Sequence, residues 1–151
     1  ALLGDAVLEG GEVSRNRVRE RVSRDFRSLA ALEKILHPVV YQVIQRETEK
    51  SASLSHVPLF VAEVPLLFES GGETFFETTI AVLSPFSQAK QRFFAQFGED
   101  EEEFAWRSDR QMSFLDKAKR ADFVLLNCRD LSHLRGLVQE LYGELCEKNE
   151  F

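Results

Sequence analysis

The apolar positions in the first third of the chain follow the spacing of an α-helix. From Val18 to Val43, apolar residues recur every three or four positions and form one stripe. Ser14 stands where a helix N-cap is expected, and the pattern fades near Lys50. Pro38 interrupts the stripe, which predicts either a kink or a new helix that begins at the proline.

Three short apolar runs in the rest of the chain predict β-strands, and helical stretches separate them. Because strands that alternate with helices usually pair in parallel, the pattern favours an α/β fold with a parallel sheet. Three strands are few for a stable open sheet. The predicted strands are Val57–Val64, Thr78–Leu83 and Phe123–Leu126.

Capping residues mark the helices between and after these strands. Ser84 is a predicted N-cap with Pro85 in the first helical position, and Gly98 ends that helix. Ser113 and Asp130 are predicted N-caps of two later helices.

Composition limits the class of protein. A chain of 151 residues with 44% hydrophobic content suits one globular domain. The net charge of −6 argues against binding nucleic acid through bulk charge. Two cysteines do not make a disulfide framework, which favours the reducing cytoplasm. No apolar run reaches the roughly 20 residues of a membrane helix, and no signal peptide is visible.

The run Val61–Glu69 carries two acids that are candidates for chemistry. Glu63 stands at the end of a predicted strand, and Glu69 closes the Pro-Leu-Leu-Phe-Glu loop that follows. In α/β proteins, ligands bind beyond the carboxyl ends of the strands, so these acids are candidates for metal or hydroxyl chemistry. The alternative is a buried strand followed by a solvated turn.

Basic residues and a histidine in the first helical region suggest further contacts. Arg17, Arg21 and Arg24 share one predicted helix face and could bind phosphate, although a solvated face has the same pattern. His37 precedes Pro38 and is either a ligand contact or a helix-cap histidine.

Arg92, Arg107 and Arg110 flank the acidic run 99–103 within a predicted helical segment. Mobile helical segments with basic residues at their base close over nucleotides in many phosphoryl-transfer enzymes. A surface helical hairpin with ion pairs along its helices is the alternative.

Two kinds of motif are absent from the sequence. A phosphate-cradling loop needs glycines before a Lys and a Ser or Thr, and none of the six lysines follows a glycine. His37, His56 and His133 are too far apart in sequence for metal-ligand spacing, and neither cysteine lies near them at finger-like intervals.

Several motifs follow one another in a fixed order along the chain. They are Leu36-His37-Pro38, Val64–Glu69, Arg107, Gln111-Met112, Lys117, Ala121–Val124 and Asn127. This order resembles dephospho-CoA kinase, the ATP-dependent enzyme of the last step of coenzyme A synthesis. The resemblance runs from about Leu3 to Leu145, and Leu-His-Pro and Pro-Leu-Leu-Phe-Glu are its most specific pieces.

The resemblance implies an α/β fold: a P-loop, nucleoside-monophosphate-kinase-like, three-layer parallel sheet with a helical CoA-substrate domain and a lid. Residues 1–151 then form one kinase domain. It also implies that the first strand, the P-loop and the catalytic Asp lie upstream of Ala1, so that the chain alone does not turn over. The ranges are 14–50 for the substrate subdomain, 57–97 and 111–151 for the core, and 98–110 for the lid.

The resemblance also implies roles for six residues, with ATP and Mg²⁺ as cofactors and dephospho-CoA as the acceptor of the γ-phosphoryl group. Arg107 is implied as a catalytic residue at the base of the lid. Substrate binding is implied for His37 and Glu69, nucleotide binding for Arg92 and Asn127, and a metal contact for Glu63.

Two other functions stay open from the residues alone. One is another small-molecule or nucleotide kinase of the same fold, and a panel of acceptors distinguishes it. The other is a non-catalytic binding module that lacks a P-loop, and the sequence encoded upstream of Ala1 distinguishes it.

Overall fold

The computed structural model describes residues 3–23, 25–54 and 57–148. It has a mixed α/β architecture that contains a parallel sheet. The chain divides into two compact units, residues 1–60 and 61–151. Within the described ranges, no helix has the length and apolar character needed to cross a bilayer.

The first unit opens with a short hairpin. Strands β1 (Leu8–Glu9) and β2 (Glu12–Val13) pair antiparallel. Gly10 and Gly11 connect them with φ values of 61° and 88°. Two consecutive positive φ angles are typical of the tight turns that join twisted strands, and glycine adopts them without steric cost.

Two helices follow the hairpin, α1 (Arg15–Ser23) and α2 (Phe26–Ala52). The Asp25 carboxylate caps α2 by accepting the backbone N–H of Arg27. The helix runs through Pro38 without ending, so the predicted new helix at the proline is wrong. The lost backbone bond is tolerated because the turn from residue 34 to residue 36 is exposed and water can satisfy the freed carbonyl.

Arg17 of α1 contacts the hairpin within this unit. The Arg17 guanidinium donates to the Leu8 carbonyl oxygen and lies 3.9 Å from the Glu9 carboxylate. Arg24, the third member of the predicted basic face, lies outside the described residues.

The second unit contains a parallel pair of strands, as the pattern predicted. Strands β3 (Ile80–Leu83) and β4 (Phe123–Leu126) pair in register from Ile80–Phe123 to Leu83–Leu126. Phe68, Ala81 and Leu83 form its buried apolar cluster. The helices of this unit are α3 (Phe86–Phe97), α4 (Glu101–Asp109), α5 (Phe114–Arg120) and α6 (Leu131–Lys148).

The strand predicted over Val57–Val64 is wrong, because these residues form no strand in the structure. Burial still alternates from Val61 to Pro65, as in an extended segment with two faces. A strand also needs a neighbour to accept and donate its backbone hydrogen bonds. None of the described strands pairs with this segment.

The predicted caps agree closely with the observed helices. Ser113 accepts the Asp116 N–H at 3.2 Å, and Asp130 accepts the His133 N–H at 2.8 Å. Pro85 occupies the N-cap of α3, one residue later than predicted, and Gly98 ends that helix with φ 90°. Shifts of one residue are usual at helix ends.

Thr79 and Asp122 tie together the starts of β3 and β4. The Asp122 Oδ2 atom accepts both the backbone N–H of Thr79 at 2.8 Å and its hydroxyl at 2.7 Å. Thr79 is only 5% exposed, so its N–H cannot turn to water instead. These bonds, first the one from the hydroxyl and then the one from the amide, lower the pKa of Asp122 below its ordinary value of 3.8.

We expect Asp122→Ala to lower the melting temperature, because it leaves the buried Thr79 N–H without an acceptor. The carboxyl has a lowered pKa in the folded state. Its contribution is therefore complete above pH 3.8 and is lost as the pH falls further. Thermal unfolding between pH 3 and 7 measures both effects. The control is Asp109→Ala, which removes an exposed acid of the same unit. An equal fall in melting temperature for both variants would contradict a specific role for the hydrogen bonds between Asp122 and Thr79.

Candidate functional site

A tightly wound loop follows the extended segment 61–64 and carries Glu69. Leu66 has φ 56°, a left-handed conformation that non-glycine residues rarely adopt. Its carbonyl accepts the Ser70 N–H at 3.1 Å, and the Leu67 carbonyl accepts the Gly72 N–H at 2.9 Å. These turns bury Phe68 and place the Glu69 carboxylate beside the turn after α4.

The Glu69 carboxylate is held by contacts on one of its oxygens. Oε1 accepts the backbone N–H of Met112 at 2.6 Å and lies 3.1 Å from Lys117 Nζ. Burial acts to raise the pKa of Glu69, but the hydrogen bond from Met112 and the contact with Lys117 outweigh it and the net pKa is lowered. Oε2 is buried and has no hydrogen-bond partner among the described residues.

A second contact holds the same loop against α5. Arg120 pairs with the Glu73 carboxylate, and its guanidinium lies 5.7 Å from the centre of the Phe68 ring. The loop is therefore fixed to α5 by two basic side chains, Lys117 through Glu69 and Arg120 through Glu73 and the Phe68 ring.

Arg92 and Asn127 meet at the carboxyl end of β4. The Asn127 N–H donates to the Leu83 carbonyl at 2.7 Å and extends the strand pairing by one residue. Arg92 Nη2 donates to Asn127 Oδ1 at 3.2 Å and to Gln88 Oε1 at 3.2 Å. Gln88 in turn donates to the Cys128 carbonyl at 3.0 Å. The two predicted nucleotide contacts thus lie together where ligands of α/β sheets usually bind.

The charge of Arg92 is not neutralised by these contacts. All the acceptors that it reaches among the described residues are neutral amide or carbonyl oxygens. A guanidinium held in place without a carboxylate partner keeps a full positive charge for an anionic ligand.

Helices α3 and α4 form a helical hairpin, residues 86–109, in which Arg107 packs against aromatic rings. Its guanidinium is 5.3 Å from the Phe93 ring centre and 5.0 Å from the Phe97 ring centre. Nε donates to Glu103 Oε1 at 2.8 Å, one helical turn earlier. The buried Phe104 packs on the same ring cluster, 5.4 Å from Phe93 between centres. These contacts fix the direction of the Arg107 side chain.

Trp106 of α4 contacts Arg110, the residue that caps the C-terminal end of this helix. The Arg110 guanidinium lies 5.0 Å from the centre of the Trp106 ring. Trp106 Nε1 is buried and has no hydrogen-bond partner among the described residues. Lys90 of α3 pairs with Glu101 of α4 at 2.7 Å and ties the two helices of the hairpin together.

Two predicted site residues, Glu63 and His37, take no part in the contacts described above. Glu63 is exposed on the extended segment. His37 belongs to the first unit and lies inside α2, with its ring centre 6.4 Å from that of Tyr41. Because α2 neither begins nor ends there, the helix-cap interpretation of His37 is wrong. Among the described residues, no group of three or more His, Cys, Asp or Glu side chains could hold a metal ion.

The structure adds residues that the sequence did not assign to the site. Gln88 and Glu103 orient the two predicted arginines, and Phe93 and Phe97 support one of them. Helical spacing could have indicated Gln88 and Glu103, since each stands four residues before its arginine. Nothing in the local pattern indicates that Lys117 pairs with Glu69.

A family model described as dephospho-CoA kinase matches residues 2–133. This chain belongs to the dephospho-CoA kinase family. The chain is 45% identical over 145 residues to the dephospho-CoA kinase of Protochlamydia amoebophila, which covers 95% of this chain and 71% of the relative. It is 32% identical over 143 residues to that of Aquifex aeolicus, with 94% and 71% covered.

Solved structures are similar to the chain as well. The crystal structure of TT1252 from Thermus thermophilus is 34% identical, with a TM-score of 0.77 over 95% of this chain and 73% of the other. The dephospho-CoA kinase from Campylobacter jejuni is 23% identical, with a TM-score of 0.64 over 95% and 71%, which supports the fold alone. The resemblance to the dephospho-CoA kinase family is therefore confirmed.

Proposed function

We propose that this protein transfers the γ-phosphoryl group of ATP to the ribose 3′-hydroxyl of dephospho-CoA and so makes coenzyme A. The observation that carries the proposal is its membership of the dephospho-CoA kinase family across residues 2–133. Catalysis of this kind depends on holding donor and acceptor in line and on stabilising the charge of the transferred group.

We also propose the finer arrangement that the family implies. A P-loop, nucleoside-monophosphate-kinase-like core of residues 57–97 and 111–151 carries a helical substrate subdomain at 14–50 and a lid at 98–110. In support, α1 and α2 occupy most of the substrate range, and α4 occupies most of the lid range.

We assign Glu69 and His37 to the acceptor, dephospho-CoA. Glu69 is anionic at neutral pH because its pKa is lowered, and its Oε2 atom has no protein donor among the described residues. A carboxylate held in a fixed position can accept a hydrogen bond from a hydroxyl or N–H group of the acceptor. The assignment of His37 rests on the Leu-His-Pro motif.

Arg92 and Asn127 are assigned to ATP. Two observations support this assignment: both residues lie at the carboxyl end of β4, and no acid neutralises the charge of Arg92 among its contacts with the described residues. Arg107 is assigned to the charge that develops on the γ-phosphoryl group, because a fixed guanidinium stabilises the transition state without reorganising during the reaction.

Mg²⁺ is the metal that accompanies ATP in this proposal, and Glu63 is its one assigned protein contact. Mg²⁺ usually keeps several waters and binds one or two carboxylates together with substrate phosphates. An exposed carboxylate such as that of Glu63 fits this mode. The bound ion would neutralise phosphate charge during transfer.

The partners in this proposal are small molecules, and the setting is the cytoplasm. A net charge of −6 disfavours nucleic acid. Cys128 and Cys146 are both free thiols, which suits a reducing compartment.

An ADP-release assay tests the proposal on protein purified from the complete reading frame. We expect release that requires ATP, Mg²⁺ and dephospho-CoA together. Clear release with another acceptor, but none with dephospho-CoA, would assign a different kinase activity. Binding of ATP without release in the presence of any acceptor would indicate a non-catalytic module.

A further inference from the structure

Lys117 of α5 is a lysine whose side chain is largely covered by its neighbours. Its side chain is 17% exposed, and lysines are rarely that buried without a partner. Its Nζ lies 3.1 Å from Glu69 Oε1 and donates to Gln111 Oε1 at 2.9 Å. The ammonium group therefore joins two segments that are distant in sequence.

Lys119, two positions later on the same helix, shows the ordinary state of a surface lysine. Its side chain is 76% exposed, and its nearest acid, Asp116, is 4.0 Å away. Because residues two positions apart point to different faces of a helix, the difference in exposure shows that Lys117 is on the face of α5 that contacts Glu69 and Gln111.

The contacts of Glu69 leave its two oxygens in different states. Oε1 receives both the Lys117 ammonium and the Met112 N–H, whereas the buried Oε2 has no partner among the described residues. Buried carboxylate oxygens are rarely left without a donor in native proteins. A carboxylate pinned through one oxygen also holds the other in a fixed direction.

We infer that Lys117 is a positioning residue for the phosphoryl acceptor. It fixes Glu69 Oε1 to the turn that follows α4 and so holds in place the loop that carries this proposed acceptor contact. The inference deepens the proposed function and rests on it, because it uses Glu69 as an acceptor contact.

The same network would couple acceptor binding to the α3–α4 hairpin. Gln111 and Met112 follow directly on α4, which carries Arg107 in its last turn. Lys117 and Glu69 together hold both residues, one through its side-chain amide and the other through its backbone N–H. A displaced Lys117 would therefore loosen the acceptor contact and the base of the hairpin at once.

The test compares Lys117→Met, Lys117→Arg and the control Lys119→Met in the complete protein. Each variant is assayed for kcat and for the KM of dephospho-CoA and of ATP. Hydrogen exchange of the Met112 amide is measured in parallel. We expect Lys117→Met to raise the KM of dephospho-CoA about tenfold, which is the effect of one lost hydrogen bond to a charged group.

The KM of ATP should stay within about twofold of wild type, since ATP does not use Glu69 in this scheme. Lys117→Arg should show a much smaller rise in the KM of dephospho-CoA than Lys117→Met, because arginine keeps the positive charge beside Glu69. Lys119→Met should match wild type in all constants. The Met112 amide should exchange faster in Lys117→Met alone.

Two results would overturn the inference in distinguishable ways. If the wild-type protein converts dephospho-CoA and folded Lys117→Met has an unchanged KM for it, Lys117 is structural only and the proposed function stands. If the wild-type protein does not use dephospho-CoA, the proposed function fails and the inference fails with it.

Discussion

Arg107→Ala should lower kcat on the order of 10²–10³-fold, the usual cost of losing one charge contact to a transition state. The same change should cost only roughly 1 kcal/mol of folding free energy. It removes two partly exposed cation–π contacts and one ion pair within a helix, and each of these is worth little. Turnover measured on protein shown to be folded by its thermal transition separates the two effects.

Lys90→Ala is the matched control for this variant. Lys90 lies in the same hairpin, pairs with Glu101 and lies 5.2 Å from the Phe94 ring centre. Removing it deletes the same kinds of contact and leaves Arg107 in place. If both variants lose turnover equally, the loss reflects the integrity of the hairpin. If Arg107→Ala keeps near-normal turnover, Arg107 belongs to a surface ion pair.

Glu69→Ala should have the largest effect on stability, with a loss of about 2–4 kcal/mol. It leaves the Met112 N–H without its acceptor and removes the carboxylate partner of Lys117, whose side chain is only 17% exposed. The wild-type pKa of Glu69 is lowered in the folded state. Its contribution is therefore full above the ordinary value of 4.5 and is lost as the pH falls below it. Urea unfolding at pH 7 and at pH 3.5 should show a smaller difference between wild type and variant at the lower pH.

Glu69→Gln separates the structural role of this residue from its proposed contact with the acceptor. The amide keeps the shape and an oxygen for the Met112 N–H, so the loss of stability should be smaller than for Glu69→Ala. The KM of dephospho-CoA should rise while that of ATP changes little. A lowered melting temperature with both Michaelis constants unchanged would remove Glu69 from the site.

Local features of the fold were predictable because nearby residues determine them. The Ser113 and Asp130 caps each accept an N–H three residues later, so a short sequence pattern contains both partners. Strand Phe123–Leu126 also agreed with the structure. Its apolar run is short and is bounded by the polar Asp122 and Asn127.

Features that depend on distant partners were not predictable in the same way. The apolar run Val57–Val64 has the composition of a strand but lacks a paired neighbour among the described residues. Pro38 carries the usual signature of a helix break, yet α2 is long enough to continue without one backbone hydrogen bond. Propensity is a weak prior in both cases, and the surroundings decide.

The same distinction between local and distant information applies to the candidate site. Arg92 and Asn127 were both named from the sequence, but their contact depends on the parallel pairing that places the end of β4 beside α3. The resemblance implied a role for Glu69 without its partners, because Lys117 is far from it along the chain and the two meet only in the folded unit. Motifs implied roles for these residues, and the fold determined which of them are in contact.

The single tryptophan of the chain gives the α3–α4 hairpin its own optical label. Trp106 stands beside Arg107 in sequence, and the Arg110 cation lies over its indole ring. Indole emission shifts with nearby charge and with exposure to water. Within residues 1–151, tryptophan fluorescence therefore reports on this helix, and a nucleotide titration of this chain can be followed without attaching a dye.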